Sequence, residues 1–324
     1  ADFLDVFARD YFAPAQNVIV ADRGGTIAIR STGHYPLRPA GSDGLSILDG
    51  STSASDWTGY WPVSQYPQAM NPPQGFLASA NQEPIDPQQA PAYLGYDAAY
   101  EPWRALQINR LLRANDKVTL DDMRRFQTDP GSVRADWFVP YMRNAAAAVL
   151  ARAAAPQDLA VADSILGAWD RRYTVGNNGA ILFETALTLV GRRTWDELVP
   201  KGDTVRVATP SSAVLLALMA DSASVWWDDG STTNAVEDRD AIVAEALAAA
   251  YDTLFKRHGA PAKGGWAWGK SASAQVNHLL GLPGFSARDL AVQGGRGTLN
   301  PSVQSGGFGS SWRMVVELGP RIRA

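Results

Sequence analysis

The chain contains no cysteine. This absence excludes disulfide bonds, a thiol nucleophile and cysteine-bound metal sites. Histidine is also scarce: the chain has three, His34, His258 and His278. They are too scattered along the sequence to suggest a zinc site. The chemistry of this chain must therefore be sought in other residue types.

Long apolar runs and basic stripes are missing as well. The strongest apolar run, residues 213–220, is far shorter than the roughly 20 residues that cross a bilayer, and it is typical of a core helix. The formal net charge is −4, so the electrostatic footprint of a nucleic-acid-binding protein is absent. The sequence predicts neither a membrane span nor a nucleic-acid partner.

The order of the predicted elements divides the 324 residues into three regions. Residues 1–96 are strand-rich, residues 97–258 are mainly helical, and residues 259–324 return to short strands and glycine-rich loops. This order predicts an α+β protein in which a helical region is inserted into a strand-rich core.

Several local patterns define the elements. Two apolar runs around the Asp22–Gly25 turn predict a hairpin. Thr119 is a candidate N-cap. A late strand is predicted over residues 312–318. Helices are predicted over residues 2–12, from 103 to 112, and over 133–154, 158–169, 178–198, 211–222 and 237–257.

The segment Asn71–Pro84 is the most informative stretch. The Asn71-Pro-Pro cluster is a strong breaker, and the small and apolar residues 74–80 predict a short buried strand. Asn81 follows this strand, where its side-chain amide can project into a site. From the bare sequence, Asn81 can equally be an asparagine that caps a strand-end turn.

The segment Gly264–Ser271 satisfies the phosphate-loop pattern G-x-x-x-x-G-K-[ST]. A phosphate loop needs a buried strand before it and a helix after it, whereas the preceding residues are polar and turn-rich. We therefore interpret residues 266–269 as a packed strand. Asp228 and Asp229 lack the alternating spacing of a calcium loop and are interpreted as a solvated turn.

The motifs together resemble one family. The Asn71–Pro84 segment, the hairpin, Asp56-Trp-Thr-Gly-Tyr60, Trp103–Leu112, Trp266–Gly269, Gly294-Gly295 and Ser310–Gly319 are similar, in this order, to the catalytic β-chain of the penicillin acylase (penicillin amidase) family of N-terminal-nucleophile hydrolases. The resemblance implies part of an αββα sandwich with an inserted helical lobe. It also implies that the chain is the carboxy-terminal part of a β-chain.

The resemblance implies a reaction with named residues. In this family an N-terminal serine attacks an amide, and its own α-amino group, with a pKa near ~8, acts as the base. Asn81 would donate a hydrogen bond to the oxyanion, and Arg104 would orient Asn81 or attract an anionic part of the substrate. Alternatively, Arg104 is a surface residue paired with Glu101 or Asp97.

Residue 1 is Ala1, which has no hydroxyl group. The resemblance therefore predicts that another segment supplies the serine. The partner would be the remainder of the same precursor, namely its α-chain and the amino-terminal part of its β-chain, in a processed heterodimer, and this chain alone should be inactive. Alternatively, the chain is an incomplete fragment, or a non-catalytic module that has kept the scaffold.

The resemblance leaves the substrate open among penicillin-type side-chain amides, other acylated amines and acyl-homoserine lactones. It implies a periplasmic or secreted enzyme that requires no cofactor. Some members of the family hold a structural calcium ion. Asp86 is the nearest carboxylate here, and Ala92 falls at the liganding position, so the residue pattern does not support the calcium site.

Overall fold

A computed structural model describes residues 2–42, 46–85, 101–152, 156–199, 207–271, 273–302, 309–310 and 312–319. The chain divides into two units, and each is described by itself. The first comprises residues 1–120 with 314–324, and the second comprises residues 121–313. The boundaries predicted after residues 96 and 258 stay predictions.

The first unit is built on short antiparallel strands. A three-stranded sheet has the order β1 (Gln16–Ala21), β2 (Ile27–Thr32) and β5 (Gln68–Met70), and a two-stranded sheet pairs β3 (Pro36–Leu37) with β4 (Gly59–Tyr60). The predicted hairpin is confirmed by the β1–β2 ladder. Asp22 fixes its turn, because Oδ1 accepts hydrogen bonds from Gly24 N at 2.7 Å and Thr26 N at 3.1 Å. These bonds lower the pKa of Asp22.

Two helices complete the described part of the first unit. Helix α1 (Asp2–Asp10) packs on β2 and buries Leu4 and Ala8, while helix α2 (Trp103–Arg113) buries Trp103 and Ala105. Ala8 belongs to a small core with Trp61 and Tyr66. The predicted helix over residues 2–12 is therefore confirmed except at its last two positions.

The second unit is mainly helical. Its helices are α3 (Leu120–Gln127), α4 (Val133–Leu150), α5 (Gln157–Ala168), α6 (Gly179–Thr194), α7 (Ser212–Leu218), α8 (Arg239–His258) and α9 (Trp268–Ser271). Strands β6 (Ala274–Val276) and β7 (Ala287–Leu290) form a hairpin. The element types confirm the predicted α+β class.

Helix α8 is the centre of the helical packing. It lies against α4, α5 and α6, and its fully buried side chains include Ile242 and Leu247. Side-chain caps set the starts of three helices, because Ser132, Ser211 and Asp238 accept hydrogen bonds from backbone N–H groups of the first turns of α4, α7 and α8. These starts lie within two residues of the predicted ones.

The strand predicted over residues 266–269 is wrong. Trp266 lies in a turn and Trp268 begins α9. The two buried indoles donate to backbone oxygens, Trp266 Nε1 to Gly259 O at 2.9 Å and Trp268 Nε1 to Gly294 O at 2.6 Å. Side-chain bonds to distant backbone, and not a strand ladder, therefore fix this segment.

The strand predicted over residues 312–318 is also wrong for the described residues, because only Glu317 is assigned a β-bridge. Gly294 and Gly295, one of the motifs that resemble the family, lie in a loop. A Cβ atom added to Gly295 would lie 2.5 Å from Cδ1 of Tyr173, so this loop needs glycine for its close approach to an aromatic ring. Within the described residues, no helix is long and apolar enough to cross a membrane.

Candidate active site

The backbone around Asn81 is set by two left-handed asparagines. The chain leaves β5 at Asn71, which has φ 46° and whose Oδ1 accepts a hydrogen bond from Ile27 N at 2.9 Å. Ten residues later Asn81 has φ 60°. Asparagine tolerates this region better than other residues with a Cβ, because its short polar side chain can bond locally. The side chain of Asn81 is exposed.

The strand predicted over residues 74–80 is wrong, because no strand is assigned there in the described part of the chain. Most of the segment is half-buried and only Ala80 is fully buried. Glutamine side chains bind its backbone groups: Gln74 Nε2 donates to Phe76 O at 3.0 Å, and Gln82 bonds to the backbone of Ala78 and Ala80. Local amide bonds therefore occupy groups that a strand would use in a ladder.

Arg104 lies in the first turn of α2. The preceding residue, Trp103, is 1% exposed and fixes this turn to the protein interior. From the half-buried position of Arg104, the guanidinium Nη2 donates a hydrogen bond to Asn81 Oδ1 at 2.7 Å. The structure thus brings together the two residues that we selected from sequence, although 23 positions separate them.

This contact fixes the orientation of the Asn81 amide. A guanidinium has donors only, so the atom that faces Arg104 must be the carbonyl oxygen. The Nδ2 group, on the opposite side of the Cβ–Cγ axis, then points away from Arg104, and none of the described residues accepts a hydrogen bond from it. The arrangement presents an oriented, uncharged N–H donor at the protein surface.

The alternative partners of Arg104 are not observed in the described residues. Its guanidinium binds Asn81 and makes no ion pair with Glu101, while Asp97 lies outside the described residues. Glu101 is therefore not the partner that the surface-pair alternative requires. The catalytic roles of Asn81 and Arg104 stay predictions.

A second hydrogen-bonded chain supports the same segment. Ser31, buried on β2, donates from Oγ to Asn17 Oδ1 at 2.7 Å, and Asn17 Nδ2 donates to Ser79 Oγ at 2.9 Å. The segment before Asn81 is thus attached to the three-stranded sheet. Neither Asn17 nor Gln82 was selected from sequence, because each acts through a side-chain geometry that has no sequence pattern.

The other sequence candidates do not form sites. The residues before the glycine-lysine pattern form a 3₁₀ turn, Pro261–Lys263, the four-residue helix α9 lies inside the pattern, and the next element is strand β6. The segment therefore lacks the strand-loop-helix order that a phosphate loop needs. Among the described residues, no three potential ligands are grouped for a metal ion, and Asp86 and Ala92 lie outside them.

The interpretation of Asp228 and Asp229 as a solvated turn is wrong for Asp229. Its side chain is only 8% exposed, and Oδ1 accepts from Ser231 Oγ at 2.5 Å and from Ser231 N at 3.0 Å. The Ser231 hydroxyl and amide lower the pKa of Asp229, with Arg193 adding a smaller effect. Asp229 is therefore a buried turn residue.

Comparison with known proteins gives a consistent result. The family model for penicillin amidase matches residues 1–324. An acyl-homoserine lactone acylase, QuiP, from Pseudomonas aeruginosa is 30% identical over 81% of this chain and 32% of its own length. Penicillin G acylase from Escherichia coli is 25% identical over 89% of this chain and 36% of its own length. The chain thus spans about a third of the length of these relatives.

A solved structure, the thermostable penicillin G acylase from Alcaligenes faecalis, superposes with a TM-score of 0.62 at 21% identity, over 90% of this chain and 56% of that chain. The chain therefore has the mixed helix-and-sheet fold of that N-terminal-nucleophile hydrolase. With the family model matching along its full sequence, the chain belongs to the penicillin amidase family, a family of amide-hydrolysing enzymes.

Proposed function

We propose that this chain supplies the oxyanion-binding part of an amidase that hydrolyses N-acyl amides. The observation that carries the proposal is the 2.7 Å bond from Arg104 Nη2 to Asn81 Oδ1, which leaves the Asn81 Nδ2 group oriented as a donor. Acyl transfer needs such donors, already in place where negative charge develops in the transition state. Membership of an amide-hydrolysing family makes the amide carbonyl the group to be bound.

In the proposed mechanism, an N-terminal serine attacks the amide carbonyl and its own α-amino group accepts the hydroxyl proton. The carbonyl oxygen becomes an oxyanion that Asn81 Nδ2 stabilises. The tetrahedral intermediate expels the amine, which takes up the proton, and leaves an acyl ester on the serine. Water then hydrolyses this ester to the free acid. The groups invoked are a hydroxyl, an amine and an amide, so we propose that the reaction requires no cofactor.

We propose that the serine belongs to another segment of the same precursor. Support comes from the relatives, of whose length this chain covers 32% to 40%, and one of which is described as the proenzyme of penicillin acylase 2. The partner would then be the remaining part of the precursor, in a processed heterodimer. The resemblance to the family also supports a periplasmic or secreted location.

Two substrate classes have support from relatives. Penicillin acylases match at 25% identity, and acyl-homoserine lactone acylases match at 27% to 30%. The substrates in both names carry an acyl group that is joined to an amine through an amide bond. We therefore propose a linear N-acyl amide as substrate, with an acyl-homoserine lactone as the second candidate beside penicillin-type side-chain amides.

The test uses the full-length, processed protein and a panel of phenylacetyl-4-nitroanilide, penicillin G and N-octanoyl-homoserine lactone. Turnover of one panel member is expected, and Asn81→Ala should lower its kcat by about 100-fold or more, with an unchanged melting temperature. Asn234→Ala, an exposed asparagine in the second unit, is the control and should retain activity. Undiminished turnover by Asn81→Ala would remove Asn81 from the mechanism. No turnover by wild type would favour the non-catalytic alternative.

A further inference from the structure

We propose that Gln82 is the positioning residue for Asn81: its side chain clamps the turn that directs the Asn81 amide. The inference rests on the proposed function, since it concerns the same oxyanion donor. It adds a residue that neither the sequence motif nor the Asn81–Arg104 pair identifies.

The clamp consists of two hydrogen bonds made by one amide group. Gln82 Oε1 accepts from Ala80 N at 2.7 Å, and Gln82 Nε2 donates to Ala78 O at 3.3 Å. The side chain of Gln82 therefore folds back over the residue before it and binds the backbone on the approach to Asn81. The loop closed by these bonds contains Asn81 itself.

The clamp holds a backbone conformation that is uncommon for residues with a Cβ, although asparagine tolerates it better than most. Asn81 has φ 60°, in the left-handed region that residues with a Cβ seldom occupy. Ala80 is 7% exposed, so its N–H group has little access to water that could replace the glutamine oxygen. Loss of the clamp would leave this buried donor without a partner and would favour a rearranged turn.

Side-chain hydrogen bonds attach the residues before Asn81 to the three-stranded sheet. Ser79 accepts a hydrogen bond from Asn17 of β1 at 2.9 Å, and Asn17 is in turn held by Ser31 of β2 at 2.7 Å. Residue 79 is thus attached to the three-stranded sheet, while residue 81 is attached to α2 through Arg104. Gln82 binds the two peptide units on either side of Ser79, and its bond to Ala80 N spans Asn81, so it constrains the backbone that sets the direction of the Asn81 side chain.

A positioning role and a purely structural role predict different kinetics. If Gln82 only satisfied the backbone, its removal would lower stability and leave turnover per folded molecule unchanged. If it directs Asn81, its removal weakens an interaction made with the transition state, so kcat falls while KM changes little.

The experiment compares four variants of the full-length, processed enzyme on its best panel substrate. Gln82→Met has nearly the same length and volume but makes neither bond, and kcat should fall at least 10-fold with KM within twofold of wild type. Gln82→Glu keeps an oxygen for Ala80 N and should recover at least a third of the wild-type kcat. Gln74→Met is the matched control, because it removes a side-chain bond to Phe76 O in the same segment, and its kcat should stay within twofold.

Asn81→Ala separates failure of this inference from failure of the proposed function. If Asn81→Ala inactivates the enzyme and Gln82→Met does not, Asn81 keeps its role and Gln82 loses the positioning role. If Asn81→Ala is fully active, the proposed function itself falls and the clamp has nothing to position. Equal losses for Gln82→Met and Gln74→Met, or no recovery in Gln82→Glu, would also overturn the inference.

Discussion

Replacing Arg104 with lysine tests how the Asn81 amide is oriented. Lysine keeps the positive charge and the aliphatic stem, but it is shorter by one bond and has a tetrahedral ammonium group in place of the planar fork. The observed bond needs a donor 2.7 Å from Asn81 Oδ1. A lysine at this position would have to strain or leave the contact, so the perturbation acts on orientation and not on charge.

The size of the effect follows from the environment of the bond. Hydrogen bonds to charged groups contribute about 1.5–3 kcal/mol when one partner is removed. Arg104 is half-buried, so water can take over part of the interaction, and we expect a loss of about 1–2 kcal/mol of transition-state stabilisation. At about 1.4 kcal/mol per factor of ten, kcat should fall roughly 5- to 30-fold.

The assay measures kcat, KM and the melting temperature of Arg104→Lys in the full-length, processed enzyme. Arg113→Lys provides the control, because Arg113 lies on the same helix in an exposed position of its last turn. It should leave kcat within twofold. A double-mutant cycle of Arg104→Met with Asn81→Ala should be strongly non-additive, since the two side chains act through one bond.

Two results would refute the reasoning. An Arg104→Lys enzyme with the kcat of wild type would show that the contact is not needed for turnover. Strictly additive losses in the cycle would show that Arg104 acts on the substrate without Asn81. A large rise in KM at constant kcat would point to attraction of an anionic substrate group, which is the other role that the family resemblance implies for this arginine.

Further predictions concern the stability of the second unit. Burial, and secondarily the nearby Glu184 carboxylate, raise the pKa of Tyr173 well above 10, so above pH ~10 the unfolded chain binds fewer protons than the folded one. The free energy of unfolding of the second unit should then fall by up to about 1.4 kcal/mol per pH unit. Tyr173→Phe should remove this fall, as measured by urea titrations at pH 9 and 11. Equal pH slopes for Tyr173→Phe and wild type would contradict the prediction. Gly295→Ala should lower stability by about 1–3 kcal/mol, because the new Cβ meets Tyr173, whereas Gly191→Ala, with open space in α6, should raise it by about 0.4–1 kcal/mol; thermal unfolding that ranks the two the other way would refute this.

The helices could be predicted closely because their signals are local. The predicted helix over residues 237–257 is observed as Arg239–His258, and the one over 158–169 as Gln157–Ala168. Apolar periodicity and a capping side chain lie within the helix itself or next to it, so no distant contact is needed to recognise them. In these two helices the ends differ by one or two residues. The helices predicted over 133–154, 178–198 and 211–222 end four residues earlier than predicted, at Leu150, Thr194 and Leu218.

Three of the predicted strands are wrong because their signals are not local. Residues 74–80, 266–269 and 312–318 are short apolar runs, and such runs do not distinguish a strand from a buried turn. The outcome depends on which backbone groups find a ladder partner. In the first segment glutamine amides bind them, and in the second the indole groups of Trp266 and Trp268 fix the chain.

The candidate site was predictable in its residues and not in its geometry. Asn81 and Arg104 each stand in a motif that resembles the family. The hydrogen bond from Arg104 Nη2 to Asn81 Oδ1, at 2.7 Å, could be found only in the structure. It depends on the first turn of α2, which is fixed by the burial of Trp103. Gln82 lies inside the Asn71–Pro84 segment, but no sequence pattern assigns it a role, because its contribution depends on a side chain that folds back onto its own segment.

The pairing of a neutral amide with a cation explains why both residues are needed in the proposed reaction. An asparagine amide can rotate by half a turn and exchange its donor with its acceptor, which would place an oxygen against the oxyanion and repel it. A guanidinium cannot accept a hydrogen bond, so contact with Arg104 allows only the rotation in which the amide oxygen of Asn81 faces the guanidinium. The donor then needs no reorientation when charge develops, which is the condition for electrostatic stabilisation of a transition state. Arg104 removes the rotational ambiguity and Gln82 fixes the backbone, so each accounts for a different degree of freedom of the same amide.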